Sequence, residues 1–299
     1  MALPLAALAA AVAFAAALLL GLRHLLHRGL APARIPEQRS PGALGAAFEE
    51  ARIPTANDKH LFGWFVPALT EGRAPAVAIL HGWGGNAETM LPLIQPLAAA
   101  GFAVLLFDAR CHGRSDEDDF ASLPRFAEDM EHALGWLRQR PEVDPGRVAI
   151  VGHSVGAGAA LLVASRRDDI AAVVSLAAFS HPARMMRRWL AAKRIPHVPL
   201  GWAILAYVQR VIGHRFDAIA PVASIRGIRC PTLLIHGADD VTVPVSEMRE
   251  IYAARSGDHV QCRVVAGSHD DFGDASDIAG EITEVVKFLR QNAVRSAAA

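Results

Sequence analysis

Cysteine is scarce in this chain: Cys111, Cys230 and Cys262 are the only three among 299 residues, and none forms a C-x-x-C pair. That count excludes a disulfide framework and fits a reducing compartment. Net charge is missing as well, because 30 basic residues balance 30 acidic ones. With a pI near 7.2 the chain has no long-range field to gather nucleic acid, and none is expected as a partner. No repeat occurs at solenoid periods, and only the two alanine-rich ends are of low complexity. The G-x-G-x-x-G and G-x-x-x-x-G-K-[ST] phosphate loops are absent, and none of the 13 histidines forms H-E-x-x-H. Neither a cofactor nor a catalytic metal is therefore expected.

What the chain has in quantity is apolar side chain, 52% of its residues, enough to close one large core. The stretch "LPLAALAAAVAFAAALLLGL", Leu3 to Leu22, is uncharged, and as a helix about 20 residues long it would span about 30 Å. Basic residues Arg23, Arg28 and Arg34 follow it. The positive-inside rule then predicts a transmembrane anchor over residues 1–28 with the large domain in the cytoplasm. A signal peptide cleaved near Ala31-Pro32-Ala33, with export of the domain, is the other reading. Residues 29–45, rich in Pro and Gly, read as a linker, and 46–299 as the main domain.

Short apolar runs alternate with helical patterns from there on. "FEEARIPT" and "LFGWFVPA" read as an antiparallel pair. "AVAILHG", "FAVLLFDA", "RVAIVG", "AAVVSLAA", "PTLLIHG" and "QCRVVAG" read as further strands, most of them apolar on both faces. Helices are predicted from Asn86 to Gly101, from Pro124 to Arg140, after Ser154, and from Asp277 to Asn292. The fold class is α/β, a mainly parallel sheet covered on both faces. The interval from about 179 to 224 is too long for a simple crossover and reads as a helical cap over the sheet's carboxyl edge. Within it Arg184, Arg187, Arg188, Lys193 and Arg194 have no acid between residues 184 and 194 to offset them, and they read as a solvated face.

One serine lies where a strand pattern turns into a helix pattern, in Gly152-His153-Ser154-Val155-Gly156. This G-x-S-x-G needs glycine two positions either side of the serine, because a Cβ there would meet neighbouring backbone in so tight a turn. Ser154 then stands at a helix amino terminus, where free N–H groups favour developing negative charge. A serine hydroxyl needs a base, and the base needs an orienting acid. Asp239 and Asp240 follow one predicted strand and His269 follows the next, so a right-handed crossover sets both loops on the same sheet edge. The order Ser, Asp, His is the one that the α/β-hydrolase arrangement requires.

On these residues, from about Phe48 to Asn292, the chain resembles the α/β-hydrolase superfamily, in its esterase, lipase and S33-type serine aminopeptidase branch. The resemblance points to Asp240, four residues before Pro244, as the acid, with Asp239 as the alternative. It likens "LHGWGGNAE" to the segment that supplies the oxyanion hole, which assigns the backbone N–H groups of Trp83 and Val155 as donors. His81 in that segment reads as a structural residue, and His153 and His236 as residues that pack or hydrogen-bond. "FDARCHGRSD" resembles the family's D-x-R-G-x-G-x-S loop, with Cys111 in place of the first glycine and read as a small buried thiol. Asp270, Asp271 and Asp274, after the base, read as a polar loop.

The expected activity is a membrane-tethered serine hydrolase that cleaves an apolar ester or thioester through an acyl-enzyme on Ser154. Cap residues Met185, Met186, Trp189, Trp202 and Tyr207 favour an apolar substrate. Two other readings stay open. One is an aminopeptidase or amidase with the same residues, and the other a hydrolase-like protein kept for binding.

Overall fold

A computed structural model describes residues 5–269 and 279–293. Its centre is one sheet in the order β1-β2-β4-β3-β5-β6-β7-β8. β1 (Glu49–Thr55) and β2 (Lys59–Val66) form the expected antiparallel pair, and β2 runs antiparallel to β4 (Ala103–Phe107). Every later pairing is parallel, through β3 (Ala74–Leu80), β5 (Val143–His153), β6 (Val173–Leu176), β7 (Thr232–Gly237) and β8 (Val260–Val265). β8 at the sheet edge exposes Gln261 and Arg263, while the central parallel strands β3, β6 and β7 are buried on both faces because each face has its own core. One holds Leu105, Phe126, Ile150 and Leu161, and the other Ile79, Leu97, Val151 and Leu289.

α3 (Leu123–Arg138) and α4 (Val155–Ala164) cover the first face. α3 begins at Ser122, whose hydroxyl accepts the Arg125 amide as an N-cap. α4 is built from Ala, Gly, Leu and Val and is buried along its whole length. On the other face lie α2 (Ile94–Ala99) and α10 (Ala279–Asn292). The single helix expected from Asn86 is instead a 3-10 segment, Ala87–Leu93, followed by the short α2. Pro92 and Pro96 explain the difference, since each removes a backbone donor and crowds the preceding turn. Asn86 caps the start as expected, its side chain accepting the Glu88 amide at 3.1 Å.

Between β6 and β7 the chain leaves the sheet and forms the cap. It comprises α5 (Pro182–Ala192), α6 (Trp202–Ile212), α7 (Phe216–Ile219) and α8 (Pro221–Ser224). Arg184 is exposed, as expected of that face, and Arg188 is half-buried, and both are paired with acids. Arg184 bonds Glu250 at 2.6 Å and Arg188 bonds Glu247, both acids lying on α9 (Val245–Ala253), which follows β7. The offsetting acids come from a distant part of the sequence. Glu247 also accepts the Ser180 amide at 2.7 Å, so it ties the root of the cap to the body.

The amino-terminal stretch forms the long helix α1, Leu5–Gly29. Its expected role as a transmembrane helix is corrected: among the described residues no helix is long and apolar enough to cross a membrane. Alanine makes up half of the uncharged part of α1, Leu5–Leu22, and adds little transfer free energy, while its last turns carry Arg23, His24, His27 and Arg28. The segment that follows α1 lies against the body, with the Leu30 carbonyl accepting the Ala121 amide at 2.8 Å. Asp270, Asp271 and Asp274, and the first two residues of the helix expected from Asp277, lie outside the described residues.

Candidate active site

The site sits at the carboxyl edge of the parallel strands, where β5 turns into α4. Ser154 occupies the turn with φ 53° and ψ −115°, a conformation that a non-glycine residue adopts only when its surroundings enforce it. The flanking glycines supply that enforcement. A Cβ on Gly152 would overlap the Gly156 backbone, and one on Gly156 would overlap the carbonyls of His81 and Leu80. Backbone therefore packs on backbone around the serine, and its hydroxyl is thrown clear of the sheet. The Ser154 amide is held by the Leu176 carbonyl of β6 at 2.9 Å.

His269, just after β8, reaches back across the edge. Its Nε2 lies 3.0 Å from Ser154 Oγ, and its Nδ1 lies 2.7 Å from Asp240 Oδ2 in the loop after β7. A carboxylate can only accept, so Nδ1 carries the ring proton and Nε2 is left bare to accept the serine hydroxyl. All three side chains are buried. Burial alone would raise the Asp240 carboxyl, yet hydrogen bonds from His236, His269 and the Val243 amide hold it well below the usual carboxylate range. The Val243 amide donates to Oδ1 at 2.7 Å. His236 Nε2 donates to the Val243 carbonyl at 2.6 Å and lies 3.2 Å from Asp240 Oδ2. The loop and the carboxylate are thus fixed by the same imidazole. Asp239, the alternative acid, is exposed one residue before it.

His153 and His81 hold the surrounding backbone. His153 Nε2 donates to the His269 carbonyl at 2.9 Å, and the two rings lie 5.0 Å apart. Burial first, and the neighbouring His269 second, push the His153 imidazole down to about 3. His81 is fully buried; its Nδ1 donates to the Gly82 carbonyl at 2.7 Å and its Nε2 accepts the Ala109 amide at 3.1 Å. It links the Gly82–Gly85 loop to the loop after β4. That second loop is pinned by Arg110, whose Nε bonds Asp129 Oδ1 on α3 at 2.7 Å. Cys111 in the same loop is buried, with φ 66°, and burial raises its thiol. The left-handed backbone that a glycine would adopt freely is here carried by cysteine.

The loop from Gly82 packs directly on the elbow: a Cβ on Gly82 would stand 3.0 Å from His153 Nδ1 and 3.1 Å from Ser154 Cβ. Trp83 follows it, and Val155 opens α4 on the other side of Ser154. Both line the cavity that opens over the serine, a space of about 230 Å³. Its wall is largely apolar, with Leu123 and Phe179 from the body and Met185, Met186 and Trp189 from the cap. Trp202 is exposed elsewhere on the cap, and Tyr207 stacks edge-on with His27 of α1 at 6.2 Å. No group of three or more His, Cys, Asp or Glu side chains among the described residues is arranged to hold a metal ion.

The sequence signals did not point to Glu247, which anchors the cap, or to Leu30, which lines the cavity from the amino-terminal segment. Neither residue belongs to a motif, and each acquires its place through contacts distant in sequence.

The family model for serine aminopeptidase, S33, matches residues 72–214. An uncharacterized protein of Mycobacterium tuberculosis is 28% identical over 246 residues, 81% of this chain and 79% of that one. An alpha/beta hydrolase domain-containing protein of Arabidopsis thaliana is 25% identical over 247 residues, 78% of this chain and 75% of its own. Among solved structures, an esterase of Pyrococcus furiosus superimposes with a TM-score of 0.71 at 23% identity, covering 88% of this chain and 98% of that one. At that identity the likeness speaks for the fold.

Proposed function

We propose that this chain, a member of the α/β-hydrolase fold superfamily, is a serine hydrolase that cleaves carboxylic esters or thioesters with an apolar acyl group. The observation that carries the reading is the unbroken run of hydrogen bonds from Ser154 to His269 to Asp240, opening into a cavity with little polar wall. In the first half-reaction Ser154 Oγ attacks the acyl carbonyl and its proton passes to His269 Nε2. The carbonyl oxygen gathers negative charge, which the backbone N–H groups of Trp83 and Val155 are assigned to meet; removal of one such donor typically costs about 2.7–4 kcal/mol of barrier lowering. The imidazolium then gives its proton to the departing alkoxide or thiolate, leaving an acyl ester on Ser154. Water repeats the sequence in reverse, with His269 again taking and returning the proton. Asp240 stays ionised throughout and stabilises the imidazolium.

The amidase reading asks for an acid that grips a substrate amino group. The side chains that line the cavity include no carboxylate among the described residues; Asp217, the acid within the cap, bonds His181 at 3.0 Å, and Glu247 and Glu250 beside the cap are engaged by arginines. The reading as a binding protein asks for a lost member of the relay, and all three are present. The test is reaction of wild type and Ser154→Ala with a fluorophosphonate, together with turnover of p-nitrophenyl esters and aminoacyl anilides. Labelling confined to wild type, with esters preferred, is the expected result. Equal labelling of both proteins, or of neither when both are folded, overturns the proposal, and preferential anilide cleavage moves it to the amidase.

A further inference from the structure

The cavity above Ser154 has a wall that belongs to neither the sheet body nor the cap. Gly29 and Leu30, at the junction of α1 with the segment that follows, line it together with Leu123 and Met185. An ordinary tether would have no reason to reach this point, and the contacts of the next residues show why it does. The Leu30 carbonyl accepts the Ala121 amide at 2.8 Å, one residue before the N-cap of α3. Arg34 Nε donates to the Gly113 carbonyl at 3.2 Å, and Asn86 Nδ2 donates to the Ile35 carbonyl at 2.8 Å. The amides of Gln38 and Arg39 both bond Glu88, at 2.6 and 3.2 Å, and the Arg39 guanidinium closes on the same carboxylate at 2.8 Å. Between these, Glu37 presses its buried carboxyl oxygens against Asp108. On the other side the His27 ring meets Phe120 of the body at 6.3 Å and Tyr207 of α6 at 6.2 Å, so the end of α1 touches both body and cap.

We propose that residues 27–39 form a docked strap that closes the acyl pocket on one side, and that Leu30 is a specificity-determining residue for acyl length. The inference rests on the serine hydrolase reading for the identity of the occupant. The partners of the strap are the loops that carry the site itself: Asn86 and Glu88 follow the Trp83 segment, and Gly113 and Asp108 belong to the loop that His81 holds. Its position is therefore fixed relative to Ser154. A larger side chain at position 30 shortens the space, and a smaller one lengthens it.

The test uses the full chain with Leu30→Trp and Leu30→Ala. The readout is the ratio of kcat/KM for the longest p-nitrophenyl ester that wild type accepts to that for the acetyl ester. The expected ratio falls about tenfold or more in Leu30→Trp, the scale of one lost methylene contact in an apolar pocket, and rises in Leu30→Ala. A ratio unchanged in both variants overturns the strap as a pocket wall. A second arm measures binding of straight-chain alcohols of graded length by calorimetry in a Ser154→Ala background, with and without Leu30→Trp. There the expected result is loss of binding by the longer alcohols on the Trp change, and binding unaffected by it overturns the wall. Because this arm needs no chemistry at Ser154, it still decides the question if neither the esters nor the fluorophosphonate react, a result that would overturn only the hydrolase reading.

Discussion

His153 donates its Nε2 proton to the backbone carbonyl of His269 across 2.9 Å, so the residue before the nucleophile holds the residue that carries the base. The bond joins two loops 116 positions apart in sequence and leaves the His269 ring free to turn its Nε2 toward Ser154. His153 acts on the base through the backbone that carries it and is a positioning residue. His153→Ala is expected to lower kcat by about tenfold, the scale of a buried hydrogen-bonding group left without its partner, while KM changes little. His153→Gln, which can restore a donor near the same carbonyl, is expected to recover part of the loss. A fall of the same size in both variants, or one that appears in KM alone, would show that donation to the His269 carbonyl is not what the ring contributes.

The same burial makes stability depend on pH. The His153 imidazole is pushed down to about 3, by burial first and His269 second, and the His112 imidazole down to about 4 by burial. In the unfolded chain both titrate near pH 6.5. Below that pH the unfolded state takes up protons that the native state refuses, so stability falls as the solution is acidified and levels off near the native values. At pH 5 each histidine costs about 2 kcal/mol relative to pH 7, at 1.36 kcal/mol per unit. Urea unfolding at the two pH values measures the difference. His112→Phe keeps a ring against Phe126, which the native imidazole meets edge-on at 5.0 Å, and is expected to reduce the difference by about 2 kcal/mol, while the buried His81, also held down by burial, still contributes in the same direction. A pH 7 to pH 5 difference that His112→Phe leaves unchanged would contradict this account, since the raised Asp129 and Asp108 carboxyls shift the wild type and the variant alike in the opposite direction.

The parts of the molecule that were legible in the sequence are those where chemistry restricts residue type over a short span. Gly152 and Gly156 show the elbow because only a missing Cβ fits against the neighbouring carbonyls. Asp240 and His269 stand just past two apolar strands, and parallel β7 and β8 bring those strand ends together. Other features lie beyond such reading because distant contacts decide them. Leu30 lies in a stretch rich in Pro and Gly that looks like a flexible link, and partners distant in sequence, among them the Ala121 amide, the Asn86 side chain and the Glu88 carboxylate, hold that stretch in place. Arg184 and Arg188 look unpaired until α9 supplies Glu250 and Glu247 from about 60 residues away. The apolar run through Leu91 and Leu97 has a helical spacing, but Pro92 and Pro96 convert its first half to a 3-10 turn. At α1, the apolar length suggested a bilayer span that the described residues do not support.

The two adjacent aspartates allow a sharper comparison than any single variant. Asp240 Oδ2 accepts the His269 Nδ1 proton and its Oδ1 accepts the Val243 amide, whereas Asp239 is exposed to solvent. Asp240→Asn presents an amide of the same shape in an altered hydrogen-bonding role. Its NH2 can face Nδ1 and force the proton to Nε2, where the serine hydroxyl needs an acceptor. In a relay of this kind that change of tautomer lowers kcat by about 10⁴-fold. Asp239→Asn alters one exposed charge and is expected to leave kcat within about threefold, because surface charges in water are well screened. Because the Asp240 carboxyl is held well below its usual range, it stays ionised across the acid limb of a kcat/KM profile, and that limb should be the same in wild type and Asp239→Asn. Equal losses at the two positions would mean that the carboxylates share the role, and a loss confined to Asp239→Asn would mean that the loop rearranges before His269 takes its proton.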